Sequence, residues 1–303
     1  MAEVTVVLPT FNRAHTLGRS VASLLGQDGV DLRVRVVDDG STDDTRAVLA
    51  GLADPRLEVL AGPHAGIAAA RNRGLVAVDT PYVAFHDSDD VALPGRLARP
   101  VAHLRANPEL ALVIQNGSML PPEGEPDGGS VPWIRPAVAR RLAARPIGVA
   151  EVFRWNLGQL QGMCFTRRSI EVVGPFDASF TILDDLDLVL RVTARFPAAF
   201  LDVPAFAYHR HAGGVSRDRE RVRAESIALA DKLVREHPAV LDVLGRRAFD
   251  RRQARRWARL AAMRAARGDA VGAGAALTAA RALKPGSLRY RLEALGLWLR
   301  ARR

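Results

Sequence analysis

At 303 residues, with 48% apolar and 25% charged residues, the chain has the composition of one large or two modest globular domains and leaves no room for a long disordered region. A single cysteine, Cys164, excludes an intramolecular disulfide and a cysteine-based zinc site, and no apolar run reaches the roughly 18–20 residues that span a bilayer. The net charge of +10 is uneven: residues 1–216 hold 21 Lys and Arg against 24 Asp and Glu, whereas residues 217–303 hold 22 against 9.

The first elements alternate strand and helix. Met1-Ala2-Glu3 leads directly into an apolar strand, Val4–Leu8, without the basic start and cleavage site of a signal peptide, so a cytoplasmic location is expected. Pro9-Thr10-Phe11-Asn12-Arg13 closes that strand, and Thr16–Gln27 has apolar residues at helical spacing. A second strand, Leu32–Val37, ends in Asp38-Asp39-Gly40-Ser41-Thr42-Asp43-Asp44, which offers several N-caps for a helix over Thr45–Leu52. Leu57–Leu60 is a third strand, Gly66–Val78 a helix, and Tyr82–Phe85 a buried strand entered through Thr80-Pro81. Repeated βα units of this length predict a mostly parallel sheet with helices on both faces.

In such sheets ligands bind beyond the carboxyl ends of the strands. Asn12 and Arg13, Asp38 and Asp39, and the run Asp87-Ser88-Asp89-Asp90 all fall at those ends. Three neighbouring carboxylates repel one another unless something positive sits among them, and hard cations such as Mg²⁺ or Mn²⁺ take oxygen ligands of this kind. The alternative for an isolated D-x-D-D is a solvated acidic turn. The alignment of all the polar clusters at one edge favours a site.

Residues 116–136, rich in Pro and Gly, read as a long loop. Asp184-Asp185-Leu186-Asp187 opens a helix through Val192, with acidic side chains where the helix dipole favours them. Beyond Ser216 the chain is helical in character and rich in Ala, Arg and Leu, with one helix broken near Gly268 and another from Ala273 to Leu283.

These blocks together resemble the family 2 glycosyltransferases, whose fold is the GT-A or nucleotide-diphospho-sugar transferase fold. The resemblance is carried in order by Val6-Val7-Leu8-Pro9-Thr10-Phe11-Asn12-Arg13, by Val36-Val37-Asp38-Asp39-Gly40-Ser41-Thr42-Asp43, by Gly66–Leu75 leading into Phe85–Asp90, and by Gly174-Pro175-Phe176-Asp177 with Asp184-Asp185-Leu186-Asp187. It covers about residues 3–216 and implies an α/β GT-A catalytic domain over 1–216 with a basic helical C-terminal region over 217–303. The implied activity is inverting, metal-dependent transfer of a sugar from a nucleotide-diphosphate donor, with a leaning towards UDP-sugars, to a hydroxyl of a glycan or lipid-linked acceptor.

The resemblance also implies roles. Pro9, Thr10, Asn12, Arg13, Asp39, Ser41 and Arg71 would contact the nucleotide, Asp39 by accepting a hydrogen bond from the base. Asp87 and Asp89, completed by Asp90 and by His211 further on, would hold Mn²⁺ or Mg²⁺ against the donor diphosphate. Asp185 would be the general base. The family usually has Glu-Asp-Trp where this chain has Asp184-Asp185-Leu186, a shorter neighbour and a lost aromatic at the acceptor side. Asp184 and Asp187 read better as capping groups or as partners of Arg191 than as reacting groups.

Gln253-Ala254-Arg255-Arg256-Trp257 fits the Q-x-x-R-W signature of processive polysaccharide synthases, but those place it beside membrane spans and an Arg-rich helix produces it by chance. Trp133 and Trp155 fit packing better than sugar stacking. The final amphipathic segment, Leu288–Arg303, and the basic helices before it suggest peripheral contact with the inner face of a membrane. Two other classes compete: a nucleotidyltransferase, which should carry a Gly-rich phosphate loop after the first strand where Pro9–Arg13 has no glycine, and a non-catalytic polyanion-binding protein, which would leave the acidic clusters unexplained. No nucleic-acid partner is expected.

Overall fold

Val4–Thr10 is buried along its whole length and forms β1 at the middle of the sheet. The computed structural model describes residues 2–120, 130–209 and 218–290. Two compact units divide the chain, Met1–Gly214 and Val215–Arg303.

The first unit alternates as its apolar pattern predicts. After β1 come α1 (Ala14–Leu25), β2 (Leu32–Asp38), α2 (Thr45–Ala50), β3 (Leu57–Ala61), α3 (Ile67–Leu75) and β4 (Tyr82–Phe85). The short β5 (Val91–Ala92), α4 (Ala98–Ala106), β6 (Leu112–Leu120), β7 (Val131–Pro132), α5 (Pro136–Ala143) and α6 (Val149–Trp155) follow. A 3₁₀ turn at Leu160–Gly162 then leads to β8 (Met163–Thr166), α7 (Arg167–Val173), α8 (Asp184–Thr193) and β9 (Ala198–His209). Among the described residues these strands form one sheet in the order β3-β2-β1-β4-β8-β6-β9-β5, with β7 on β6.

Strands β3, β2, β1 and β4 run parallel, and so do β6 and β9; β8 lies antiparallel between β4 and β6. The register sets Thr10 level with Asp38 and Val7 level with Phe85, so three polar strand ends meet at one edge. Under them lies an apolar core from β1, β2, α1 and α4, including Val6, Leu8, Leu17, Val21, Val34, Val36 and Val101.

The expected loop over 116–136 is partly sheet: 116–120 continue β6, and 131–132 pair with it as β7. Asn116 explains this. Its side chain accepts from the backbone N–H of Gly117 and Ile134 and donates to the Ile134 carbonyl and to Asp202. Those bonds satisfy the backbone that glycines and prolines would otherwise leave open. Trp133 packs edge-on to Tyr208, centroids 5.2 Å apart, a packing role.

The second unit holds α9 (Arg219–Glu236), α10 (Val240–Leu244), α11 (Arg246–Ala266) and α12 (Ala270–Leu283) around a small Ala-rich core with Ile227, Leu260, Leu277 and Tyr290. The Q-x-x-R-W match lies inside it. Gln253 is buried and donates to Asp231 at 3.0 Å, Arg256 donates to the Ser226 carbonyl and to Gln253, and Trp257 packs on the core. Those contacts join α9 to α11. No described helix is long and apolar enough to cross a membrane.

Candidate active site

At the end of β1 the chain turns sharply at Asn12, φ 52°. Its amide donates to Ser41 Oγ at 3.0 Å, and its side-chain oxygen accepts from the Thr42 amide at 2.8 Å. Asn12 and Ser41, both expected at the nucleotide, therefore lock the first two loops together. Arg13 is placed by its amide on Thr45 Oγ1. Thr10 Oγ1, at the end of β1, is buried without a hydrogen-bond partner among the described residues.

Asp38 and Asp39 have separate tasks. Asp38 accepts from the Ser41 amide at 2.9 Å and from Arg46 at 3.0 Å. Burial works against its charge, but those bonds outweigh burial and hold its carboxyl below the usual range. Asp39 is buried too, and its oxygens accept from the amides of Ala65 and Gly66 at the start of α3.

Beyond β4 the acidic run is braced from three sides. Arg71, buried on α3, donates to Asp87 at 2.9 Å and to Asp184 at 2.8 Å, and lies 5.5 Å from the Phe176 ring centroid. Burial disfavours its charge, but Asp184, Asp87 and Asp185 more than offset that, so it remains a cation. Gln161 points one amide nitrogen at two carboxylates, Asp87 Oδ2 at 2.5 Å and Asp90 Oδ2 at 2.8 Å. Arg13 Nε lies 3.4 Å from Asp89. The repulsion expected among the carboxylates is thus partly offset by the protein's own donors.

Behind the run sits Arg96, fully buried, donating to the carbonyls of Phe85 at 3.2 Å and Met163 at 2.8 Å. It ties the end of β4 to the turn that carries Gln161. Burial pulls its pKa down to about 10, and burial together with the Arg96 charge pulls that of His86 down to about 3, so His86 is neutral.

The second carboxylate block is fastened to the first. Asn72, next to Arg71, exchanges two hydrogen bonds with the Phe176 backbone, at 2.8 and 2.9 Å. Arg191 pairs with Asp187 at 2.8 Å and donates to the carbonyls of Val173 and Pro175. Asp187 thus has the structural partner expected of it. Asp184 does not: it pairs with Arg71 across the site rather than with Arg191.

Asp185 is half-buried at the start of α8 with one oxygen on its own helix, 2.5 Å from the Leu186 amide. Burial, then the Asp184 charge, raise its pKa well above the usual carboxylate range, and Arg71 only partly counters them. A carboxylate so raised is a competent proton acceptor. Gly158 lies against it, since a Cβ there would sit 3.3 Å from Asp185 Oδ2.

One of the expected metal ligands stands differently. Asp90 is 1% exposed and turned inward to Gln161, so it buttresses the run. His211 lies outside the described residues. Among the described residues no group of three or more His, Cys, Asp or Glu side chains could hold a metal ion. Asp87 and Asp89 remain on the open side, with side chains 27% and 19% exposed. Burial first, and the Asp89 charge as well, push the Asp87 carboxyl above the usual range despite Arg71, which is the crowding that a hard cation relieves. Two carboxylates on an open side are a donor set of the kind that a hard divalent cation takes from a protein when a substrate supplies the rest.

Sequence reasoning missed Gln161, Gly158 and Arg96. The sequence around them carries no spacing signal, because each reaches the site through the fold rather than through its neighbours in the chain.

Compared with known proteins, residues 5–134 match the profile described as Glycosyl transferase family 2. A relative in Escherichia coli, the UDP-Glc:alpha-D-GlcNAc-diphosphoundecaprenol beta-1,3-glucosyltransferase WfgD, is 32% identical over 105 residues, 34% of this chain and 42% of the relative. The chain spans less than half the length of the first curated relatives that it matches. The crystal structure of S. aureus TarS 1–349 in complex with UDP-GlcNAc superposes with a TM-score of 0.68 at 15% identity, over 98% of this chain and 89% of that one. The mannosyltransferase PcManGT from Pyrobaculum calidifontis in complex with GDP-Man and Mn²⁺ gives 0.60 at 22% identity, over 98% and 80%. The fold is of the GT-A type.

Proposed function

We propose that this chain is a family 2 glycosyltransferase, as the profile match over residues 5–134 supports, and that it moves a sugar from a nucleotide-diphosphate donor to a hydroxyl of a glycan or lipid-linked acceptor, with inversion. The observation that carries the reading is the Arg71 bridge. One buried guanidinium joins Asp87, on the side assigned to the donor, to Asp184, the neighbour of the proposed base. Two acidic blocks about a hundred residues apart are thereby held as one site. The donor is read as a UDP-sugar by likeness to WfgD and to the TarS complex, with a GDP-sugar as the other member of the class.

In this mechanism Asp185 removes the proton of the acceptor hydroxyl. That oxygen attacks the anomeric carbon from the face opposite the leaving diphosphate, so one carbon–oxygen bond forms as the other breaks and the configuration inverts. A positioned base contributes about 10²–10⁴-fold in rate. Gly158 packs closely on that carboxylate, which a side chain there would crowd. Asp87 and Asp89 would hold Mn²⁺ or Mg²⁺, which when bound offsets charge on the departing diphosphate. Thr10, Asn12 and Ser41 bind the nucleotide from the adjoining loops.

The basic unit supplies a membrane contact in this reading. Arg247, Arg251, Arg255 and Arg259 recur every four residues along α11, all exposed and without an ion pair among the described residues. Spaced about 6 Å apart along the axis, they offer charge to anionic lipid headgroups, which attract about 1 kcal/mol per basic side chain near the surface. A lipid-linked acceptor at the inner face of the membrane would place enzyme and substrate together.

The test is nucleotide release from UDP-glucose, UDP-GlcNAc and GDP-mannose with Mn²⁺ or with chelator. Release from one donor, abolished by chelator and by Asp89→Ala, is expected; release indifferent to both would remove the metal from the account.

A further inference from the structure

Where α9 and α11 of the second unit meet, arginine faces arginine. The two helices pack antiparallel: Gln253 donates to the Ile227 carbonyl, Arg256 to the Ser226 carbonyl at 2.9 Å, and Arg264 to Glu220 at 3.2 Å. Arg223, between Glu220 and Ser226 on α9, therefore faces the stretch of α11 between Arg256 and Arg264, which carries Arg259. These like charges are close enough to act on one another. Burial, and then the Arg259 charge, lower the Arg223 pKa. Burial, then the charges of Arg252 and Arg223, pull that of Arg256 down to about 10, and Asp231 only partly counters them.

A charge withdrawn from water is costly unless it is paired and hydrogen-bonded. Arg223 is half-buried, its Nε is enclosed without a hydrogen-bond partner, and it forms no ion pair among the described residues. Carboxylates close by are engaged by other side chains, Glu220 by Arg264 and Arg267, and Asp231 by Gln253. Arg256 Nη1 is anchored on the Ser226 carbonyl and on Gln253 Oε1 at 2.8 Å, so the helix pair fixes its position. Arg259 is exposed and belongs to the stripe along α11, which makes the group continuous with that stripe.

We propose that Arg223, Arg256 and Arg259 form a seat for a phosphate-bearing anion, a monoester or a diphosphate. A guanidinium presents its N–H donors as a planar fork that matches phosphate oxygens, and a dianion answers two of these charges where a carboxylate answers one. The group is confined to one point of the helix pair, which suits a headgroup or a small anion rather than a polymer. The phosphate comes either from a lipid headgroup or from solution. This inference concerns the second unit alone and stands apart from the transferase reading.

The test measures the melting temperature of the full chain, in chelator, with sodium pyrophosphate or with sodium chloride at equal ionic strength. Sedimentation is measured beside it, with vesicles holding equal mole fractions of phosphatidic acid, a phosphomonoester, or of phosphatidylglycerol, a diester. A melting temperature raised more by pyrophosphate than by chloride identifies a soluble anion, and a preference for phosphatidic acid identifies a headgroup. Arg223→Met keeps an unbranched side chain, removes the enclosed Nε and relieves the repulsion from Arg259. It should melt no lower than the wild type without ligand and bind the phosphate about tenfold or more weakly, as loss of a charge-assisted contact implies. Arg259→Gln, at an exposed position where folding is not at stake, should lose the response as well. Arg235→Met removes the same charge from an exposed position further along α9 and should keep the wild-type response. A response that survives in Arg223→Met and Arg259→Gln places the anion elsewhere, the first unit included, and overturns the inference. So does an equal loss in all three variants, or a wild-type protein that tells neither pyrophosphate from chloride nor one lipid from the other.

Discussion

Arg71 carries the largest single electrostatic load in the site, since it stands between two carboxylates while 4% exposed. Removing one partner of a buried ion pair typically costs about 3–5 kcal/mol because the other charge is left unpaired. Arg71→Met is therefore expected to lower the urea-unfolding free energy by about that amount, and unchanged stability would mean that Asp87 and Asp184 find other partners. Asp185 should behave in the opposite sense. Its folded pKa lies above the unfolded value of 3.8, so between the two values the native state holds more protons and its stability falls as pH rises. Asp185→Asn removes that cost, so at pH 7 the variant should melt at a higher temperature than the wild type while losing turnover. The acid limb of the rate profile should also lie above the ordinary carboxylate range, a titration of initial rate against pH being the check. Gln161→Ala releases Asp87 and Asp90 together, and the expected outcome is a raised donor KM with a smaller change in kcat.

Helix α3 organises the site at the next scale. Its Arg71 and Asn72 are consecutive, and they reach both Asp87 and Asp184 and the Phe176 backbone. This element was visible in the sequence through its position between two strands, as were Asn12, Asp87, Asp89 and Asp185, which stand at strand or helix ends where local pattern and chemistry coincide. What was not visible came from long-range pairing. Gln161 reaches Asp87 because β8 inserts antiparallel beside β4, a choice that no periodicity encodes. The strand at 116–120 was hidden because Gly117 and the nearby prolines suggest a turn, whereas Asn116 supplies the missing backbone partners from its side chain. Gly158 belongs to this scale too, its meaning set by the helix across from it. Gly158→Ala would bring a methyl group to 3.2 Å from Leu186 Cβ and 3.3 Å from Asp185 Oδ2. We expect turnover to fall about tenfold or more with nucleotide affinity unchanged, as fits displacement of a reacting group by a fraction of an ångström.

For the molecule as a whole, the division of charge seen in the sequence reappears as two units of different character. The first keeps its carboxylates at the strand ends, and the second presents the arginine stripe of α11. If that stripe meets lipid, changing Arg251 and Arg255 together to Gln should reduce sedimentation with phosphatidylglycerol vesicles severalfold and leave release of nucleotide from a soluble donor unaltered; equal sedimentation would assign the stripe elsewhere. In the proposed mechanism one site contains a donor-holding side and a separate base, joined by Arg71. Donor affinity and turnover measured in parallel for Asp185→Asn and Asp89→Ala test it most directly. The account predicts that Asp185→Asn binds the donor as the wild type does and turns it over at least about 10²-fold more slowly, whereas Asp89→Ala loses affinity. Wild-type turnover by Asp185→Asn, or an equal loss of binding in both variants, would contradict it.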